Sequence, residues 1–281
     1  MKIFRLSEEI QSYLATIREQ KQTIGFVPTM GALHQGHMSL IEEAMQNNNT
    51  VVCSIFVNPT QFDRKEDLEK YPITLENDIK MLEKIGCDIL FCPDVKEMYP
   101  KKTVTKDYNF GLLDTVMEGA KRPGHFNGVA TIVSKFFEII NPTRAYFGQK
   151  DYQQLAIVKA LNKQLPSTID IIGCPIIREE DGLAMSSRNV RLDKTHRKAA
   201  LLLSKSLFFI QENKNLHNIA TLKNSISSSF ENEALLEIEY IEFVDSEDLR
   251  KCDEWSDANQ LVVCIAAWAG KVRLIDNIVL K

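Results

Sequence analysis

No C-x-x-C pair occurs among the six cysteines of this 281-residue chain. Cys53, Cys87, Cys92, Cys174, Cys252 and Cys264 are scattered through apolar stretches, which implies neither a zinc ribbon nor a disulfide framework. They read as buried or semi-buried thiols of a reducing compartment. No apolar run approaches the ~18 residues of a membrane span, and the opening MKIFRLSEEI lacks a secretory apolar core. A cytoplasmic enzyme with no membrane partner is the expectation. Excess positive charge is missing too: 34 Lys and Arg face 38 Asp and Glu, a net charge of −4. Dedicated nucleic-acid binders are usually basic, so no nucleic-acid partner is expected. Internal repeats and low-complexity linkers are absent. Histidine is scarce, with five in the chain, yet His34 and His37 stand three positions apart in GALHQGHMSLI.

What is present alternates. Ser7 is placed to cap a helix with the apolar stripe Ile10, Leu14 and Ile17. TIGFVPT, TVVCSIFVN, CDILFCP, RAYFG and TIDIIGCP are short apolar runs of strand type. Helical periodicity fills the gaps: HMSLIEEAMQ, then Leu75 to Ile85 stopped by Gly86, then GVATIVSKFFEII and YQQLAIVKALNKQL. Strand–helix alternation from about Thr23 to Cys174 implies right-handed crossovers and a parallel sheet covered on both faces. Ligands of such sheets sit at the carboxyl ends of the strands. After about Arg178 the pattern changes. A long helix, Asp193 to about Asn213, and a second helical segment precede three alternating strands, LEIEYIEFVD, QLVVCIAAWAG and KVRLIDNIVL. These predict an antiparallel sheet. The expected fold is therefore α/β: a Rossmann-like parallel-sheet domain over residues 1–176 and a smaller α+β domain over residues 177–281.

The segments that follow the strands carry the candidate chemistry. His34-Gln35-Gly36-His37 falls at a helix N-terminus, where free amides favour anions, and Gly31 and Gly36 permit close approach. Two imidazoles there suit charge stabilisation in phosphoryl or nucleotidyl transfer, against the plainer reading of histidines that tie a loop together. Zinc is disfavoured because no third ligand is near. In GLAMSSRN, two hydroxyls and Arg188 suit phosphate oxygens, although such a run is commonly a solvated turn. In FGQKDYQQ, Lys150 is placed to reach a triphosphate, and Asp151 is placed to cap the next helix. FVNPTQF offers the neutral amides Asn58 and Gln61, or merely an Asn-Pro turn. Arg122 and His125 in KRPGHFNG read as a lid contact or as surface.

Taken in order, PTMGALHQGH, NPTQF, YPIT, RPGHFNGVATIV, YFGQKDYQQ and REEDGLAMSSRN closely resemble the pantothenate synthetase (pantoate–β-alanine ligase) family. The resemblance is specific from about Phe26 to Asn189. The histidine motif also resembles the HIGH signature of the nucleotidyltransferase superfamily, and MSSRN the counterpart of its KMSKS loop. The resemblance implies attack of (R)-pantoate on the α-phosphorus of ATP, then capture of the pantoyl adenylate by β-alanine. Mg²⁺ would accompany ATP, and a homodimer is implied. It assigns ATP contacts to Met30, Gly31, His34, Gly36, His37, Gly148, Lys150, Asp151, Ile177, Met185, Ser186, Ser187 and Arg188. His37, with His34 and Lys150, would be catalytic, His37 as a donor to the phosphate transition state. Gln61 and Gln154 would bind pantoate, and Gln61 would face β-alanine. Asp78 lies where relatives carry metal-linked acids, with Asn77 as its neighbour. Ile73 stands where Arg is common. The MSSRN loop and the C-terminal domain are expected to close over ATP as a lid. The rivals are a nucleotidylyltransferase, disfavoured by NPTQF and GQKDYQQ, a nucleotide sensor without turnover, and a tRNA synthetase, disfavoured by size and acidity.

Overall fold

The computed structural model describes residues 1–62, 65–100, 107–166 and 169–280. Strand β2 (Ile24–Thr29) and strand β3 (Thr50–Ile55) are buried at all but one residue each, so both of their faces are covered. They sit at the centre of a six-stranded sheet. Its other members are β1 (Lys2–Phe4), β4 (Ile89–Phe91), β5 (Arg144–Gly148) and β6 (Asp170–Cys174), in the order β1-β4-β3-β2-β5-β6. Every pairing is parallel, with Ile24 opposite Thr50 and Gly25 opposite Arg144.

Successive strand residues point to opposite faces, and the core divides accordingly. Phe26, Val52 and Phe91 pack with Ile10, Leu14, Val133 and Phe136 of the covering helices. Val27, Cys53 and Leu90 pack with Ile41, Ala44 and Leu82 on the other side. Each of the Val, Leu, Ile and Phe side chains among them contributes about 1.5–3 kcal/mol by leaving water. The chain moves outward from β2 through β3 to β4, then crosses back to add β5 and β6 beyond β2. That reversal opens a crevice between the carboxyl ends of β2 and β5.

The second sheet is antiparallel: β7 (Leu236–Asp245), β8 (Leu261–Ala269) and β9 (Val272–Leu280), in that order. One face packs on the helices Leu201–Asn213 and Ile219–Glu231. From the other face, Val262 and Cys264 pack with Met117 and Ala156, which belong to the parallel-sheet part of the chain. Central strand β8 is thus covered on both faces, and its run is nearly all apolar for that reason.

Local details depart from the sequence reading in three places, and one further residue cannot be compared. Strand β1 is an addition to it, pairing at the edge of the sheet beside β4. Ser7 is the first residue of its helix rather than its cap, and its backbone N–H donates to the Glu97 carboxylate at 2.8 Å. The long helix expected from Asp193 forms two segments, Lys194–Ala199 and Leu201–Asn213, because the backbone tightens at Ala200. Thr168, in the run expected to form β6, lies outside the described residues. Among the described residues no helix is long and apolar enough to cross a membrane.

Candidate active site

The loop after β2 is held in a conformation that its sequence would not adopt alone. Gly31 has φ +80° and Ala32 has φ +50°, two left-handed residues in succession. The second is unfavourable for alanine by about 1–2 kcal/mol. Asp78, from the helix Leu75–Ile85, offsets it. Its carboxylate accepts the Ala32 N–H at 3.0 Å, the Leu33 N–H at 2.9 Å and the Thr74 hydroxyl at 3.1 Å. Asp78 is 1% exposed. Asp78, expected as a metal-linked acid, is thus engaged on both oxygens by protein donors. Gly31, expected to contact ATP, turns its Cα toward Asp78, where an added Cβ would lie 3.0 Å from Oδ2, so only its backbone could meet a ligand.

Beyond the loop, His34 caps the helix Gln35–Asn47. His34 Nδ1 accepts the Gly36 N–H at 3.2 Å, and His37 Nδ1 accepts the His34 N–H at 3.3 Å. The ring centroids are 4.1 Å apart. A nitrogen that accepts from a backbone amide carries no proton, so in each neutral ring the proton sits on Nε2. Burial and then the Lys150 cation push the His34 pKa down to about 4. Burial, His34 and Lys150 push His37 down to about 3. At neutral pH both rings are therefore uncharged Nε2–H donors.

Lys150 follows β5 in the turn Gln149–Asp151. Its ammonium lies 3.9 Å from the Asp151 carboxylate, and its side chain is partly buried. Asp151 stands at the start of the helix Tyr152–Asn162, but its side chain makes no capping hydrogen bond there. The expected capping role is absent. The MSSRN loop is the tip of a folded-back segment in which Arg178 bridges Ala184 and the Met185 N–H donates to Ile177 O at 3.0 Å. A Cβ on Gly36 would touch Met185 Cβ at 3.7 Å, so this loop sits directly on the histidine motif. Arg188 faces the cavity while donating to Asp67 at 2.8 Å, and Arg191 shares that carboxylate at 3.2 Å.

Gln61 is held from several directions. Its amide oxygen accepts from Asn58 Nδ2 at 3.1 Å, and its Nε2 donates to Met30 Sδ at 3.0 Å. Asn58 is itself fixed by the Tyr99 hydroxyl at 2.7 Å and by Gly128 O at 3.1 Å. Gly128 is needed for packing, since a Cβ there would lie 2.3 Å from Thr60 O. Arg122 and His125, read as a lid contact or as surface, are packed against the Gln61 backbone. The His125 ring pairs with Gln61 O at 2.7 Å, Arg122 donates to the same oxygen at 3.4 Å, and the guanidinium meets the ring at 3.1 Å.

These parts enclose a cavity of about 220 Å³ at the mouth of the crevice. It is lined by Met30, His34, Gly36 and His37, which follow β2, and by Gly148, Lys150 and Asp151 at the end of the neighbouring β5. Ile177, Met185, Ser186, Ser187 and Arg188 close the rim. Gln61 and Gln154 also line it, as do the apolar side chains of Phe56, Val133 and Phe136. Neighbouring Gln153 points away and ties Glu118 N, Leu113 O and Val116 O together. A second cavity of about 390 Å³ adjoins the first and shares Lys150, Asp151, Ser186 and Arg188 with it. Sequence reasoning did not find Asp67, or the support of Gln61 by Arg122 and His125. No local pattern marks such partners. The cysteines are all free and buried, which pushes the thiols of Cys53, Cys87 and Cys174 up and leaves them inert.

The site can thus hold a polyanion between neutral donors and a cation, beside a small pocket with two amides. The chain as a whole has close counterparts among known proteins. The family model described as pantoate-beta-alanine ligase matches residues 2–279. A pantothenate synthetase of Phocaeicola vulgatus is 50% identical, with all of both chains covered. Another, from Bacteroides thetaiotaomicron, is 47% identical over 100% of this chain and 99% of its own. The crystal structure of pantothenate synthetase from Thermus thermophilus superposes with a TM-score of 0.93 at 39% identity, covering 99% of each chain. That of the Francisella tularensis pantoate-beta-alanine ligase, complexed with beta-gamma ATP and beta-alanine, gives 0.82 at 37% identity, covering 99% of this chain and 97% of its own. A match that runs from the first strand to the last places this chain in the pantoate-beta-alanine ligase family.

Proposed function

We propose that the enzyme condenses (R)-pantoate with β-alanine at the expense of ATP, through a pantoyl adenylate. In the first half-reaction a pantoate carboxylate oxygen bonds to the α-phosphorus, the bond to the β-phosphate oxygen breaks, and pyrophosphate leaves. In the second, the β-alanine nitrogen bonds to the acyl carbon, the bond to the AMP oxygen breaks, and the nitrogen loses its proton. Activation is needed because a free carboxylate would have to expel oxide, whereas the adenylate expels AMP.

The observation that carries this reading is the pair of neutral Nε2–H imidazoles beside Lys150 in one cavity. Carboxylate and triphosphate are both anions, so the chief task is to neutralise and align them. His37, His34 and Lys150 are the catalytic donors. Met30, Gly31, Gly36, Gly148, Asp151, Ile177, Met185, Ser186, Ser187 and Arg188 contact ATP, with Arg188 exchanging Asp67 for phosphate. Gln61 and Gln154 hold the pantoate hydroxyls and carboxylate, the apolar lining receives its dimethyl carbon, and Gln61 also faces β-alanine.

Mg²⁺ enters as MgATP. Among the described residues no three His, Cys, Asp or Glu side chains cluster as ligands, and Asp78 is occupied, so the residues do not fit a resident metal cage. Residues 1–176 act as the nucleotide and pantoate unit and residues 177–281 as a lid that excludes water from the adenylate. The enzyme works as a cytoplasmic homodimer on small molecules alone, with neither nucleic acid nor membrane as partner. The test supplies pantoate, ATP and Mg²⁺ without β-alanine. A burst of pyrophosphate is expected, followed on adding β-alanine by AMP and pantothenate in equal amounts. A product that retains the nucleotide, or no pyrophosphate under either condition, overturns the reading.

A further inference from the structure

The two phosphate-facing segments come from distant parts of the chain, and one dipeptide of β9 is bonded to both. Asn277 is 3% exposed, and its side-chain Nδ2 donates to Gln149 O and to Lys150 O, each at 2.8 Å. Asp276 beside it takes the Arg178 guanidinium on both oxygens, at 2.6 and 3.0 Å. The Asn277 backbone N–H donates to Asp276 Oδ1 at 2.8 Å and fixes that carboxylate. Arg178 lies at the root of the hairpin that presents Ser186, Ser187 and Arg188.

A lysine ammonium on a flexible four-carbon stem is only as well placed as its own Cα. The turn Gln149–Asp151 is a single tight turn whose carbonyls need outside donors. An asparagine amide supplies two such donors in one rigid plane. Asn277 does not line the cavity that holds His34 and His37, so any effect it has there passes through the backbone it grips.

We propose that Asn277 is a positioning residue for Lys150, holding the Gln149–Lys150 backbone at the distance from the MSSRN hairpin that Asp276 sets through Arg178. This rests on the reading of Lys150 as a phosphate ligand. Asn277 consequently governs ATP binding and adenylate formation and leaves the attack of β-alanine alone.

Four proteins test it: wild type, Asn277→Ala, Lys150→Ala and the double variant. Pyrophosphate release is measured with pantoate and ATP, affinity with α,β-methylene ATP, and the second half-reaction with synthetic pantoyl adenylate and β-alanine. A misplacement of about 1 Å can cost about 10²-fold, so a loss of about tenfold or more in pyrophosphate release is expected for Asn277→Ala. The second half-reaction should keep the wild-type rate. In the Lys150→Ala background, removing Asn277 should cost no further analogue affinity, because the group it places is gone. Should Asn277→Ala fail to give a melting transition, Asn277→Ser takes its place in every arm. Wild-type pyrophosphate release, equal losses in both half-reactions, or a full additional affinity loss in the double variant would each overturn the proposal. If Lys150→Ala itself behaves as wild type, the parent reading of Lys150 fails instead, which distinguishes the two.

Discussion

Removing the Asp78 carboxylate should unsettle the loop after β2 rather than strip the site of a metal. In Asp78→Ala three donors lose their acceptor: Ala32 N–H, Leu33 N–H and the Thr74 hydroxyl. The buried Leu33 amide and the partly buried Ala32 amide cost about 1–3 kcal/mol each, while the hydroxyl of exposed Thr74 can turn to water, so the gross loss is about 3–5 kcal/mol. Relaxation of the left-handed Ala32 returns about 1 kcal/mol. A net loss of about 2–4 kcal/mol corresponds to roughly 5–15 °C in Tm for a chain of this size. Asp78→Asn keeps the shape but turns one donor toward the loop amides, and should fall between wild type and alanine. The assay pairs thermal melts with pyrophosphate release titrated against Mg²⁺. Both variants should melt lower and turn over more slowly, while the Mg²⁺ concentration for half-maximal rate stays put. An Asp78→Asn enzyme with wild-type Tm and a raised Mg²⁺ requirement would refute the reasoning and restore a metal role.

Further outcomes can be checked alongside. His37→Ala and Lys150→Ala should fold normally yet lose ~10²-fold or more in adenylate formation, as when a preorganised transition-state donor is removed; wild-type turnover in either would contradict its role. Stability should decline from pH 7 to pH 5, because His34, His37 and His125 have folded pKa values depressed to about 4, 3 and 4. The unfolded chain then binds protons below its ordinary value of about 6.5 that the folded chain refuses, at roughly 2 kcal/mol per histidine by pH 5. That contribution is complete above pH 7 and disappears as pH falls toward the folded values. Equal urea midpoints at pH 7 and 5 would count against it. Gly128→Ala forces a Cβ to within 2.3 Å of Thr60 O, a main-chain atom that cannot swing aside. The expected cost is about 1–3 kcal/mol in stability, with a raised KM for pantoate and an unchanged KM for ATP; equal effects on both substrates would detach Gly128 from Gln61.

The positions of His34, His37, Lys150 and the MSSRN loop were legible because each follows an apolar strand run, and a parallel sheet sends such loops to one edge. Their partners were not legible. Asp78 reaches the loop across 46 residues, and Asn277 reaches Lys150 across 127. Arg122 and His125 meet Gln61 from a turn that carries no signal beyond Pro and Gly. Asp151 looked like a cap and makes none, because N-cap residue types recommend a hydrogen bond without securing its geometry.

The amino-acid sequence by itself determined the alternation of strands and helices, the parallel sheet with its antiparallel companion, and the loops that bear the reactive groups. Hydrophobic periodicity and turn chemistry act over a few residues, so they can be read along the chain. Tertiary structure alone decided which nitrogen of each histidine carries the proton, how far burial depresses both rings, and that Asp78 grips the backbone of a loop 46 residues away. Those outcomes depend on dielectric and on donors brought from distant segments, and both exist only once the chain has packed.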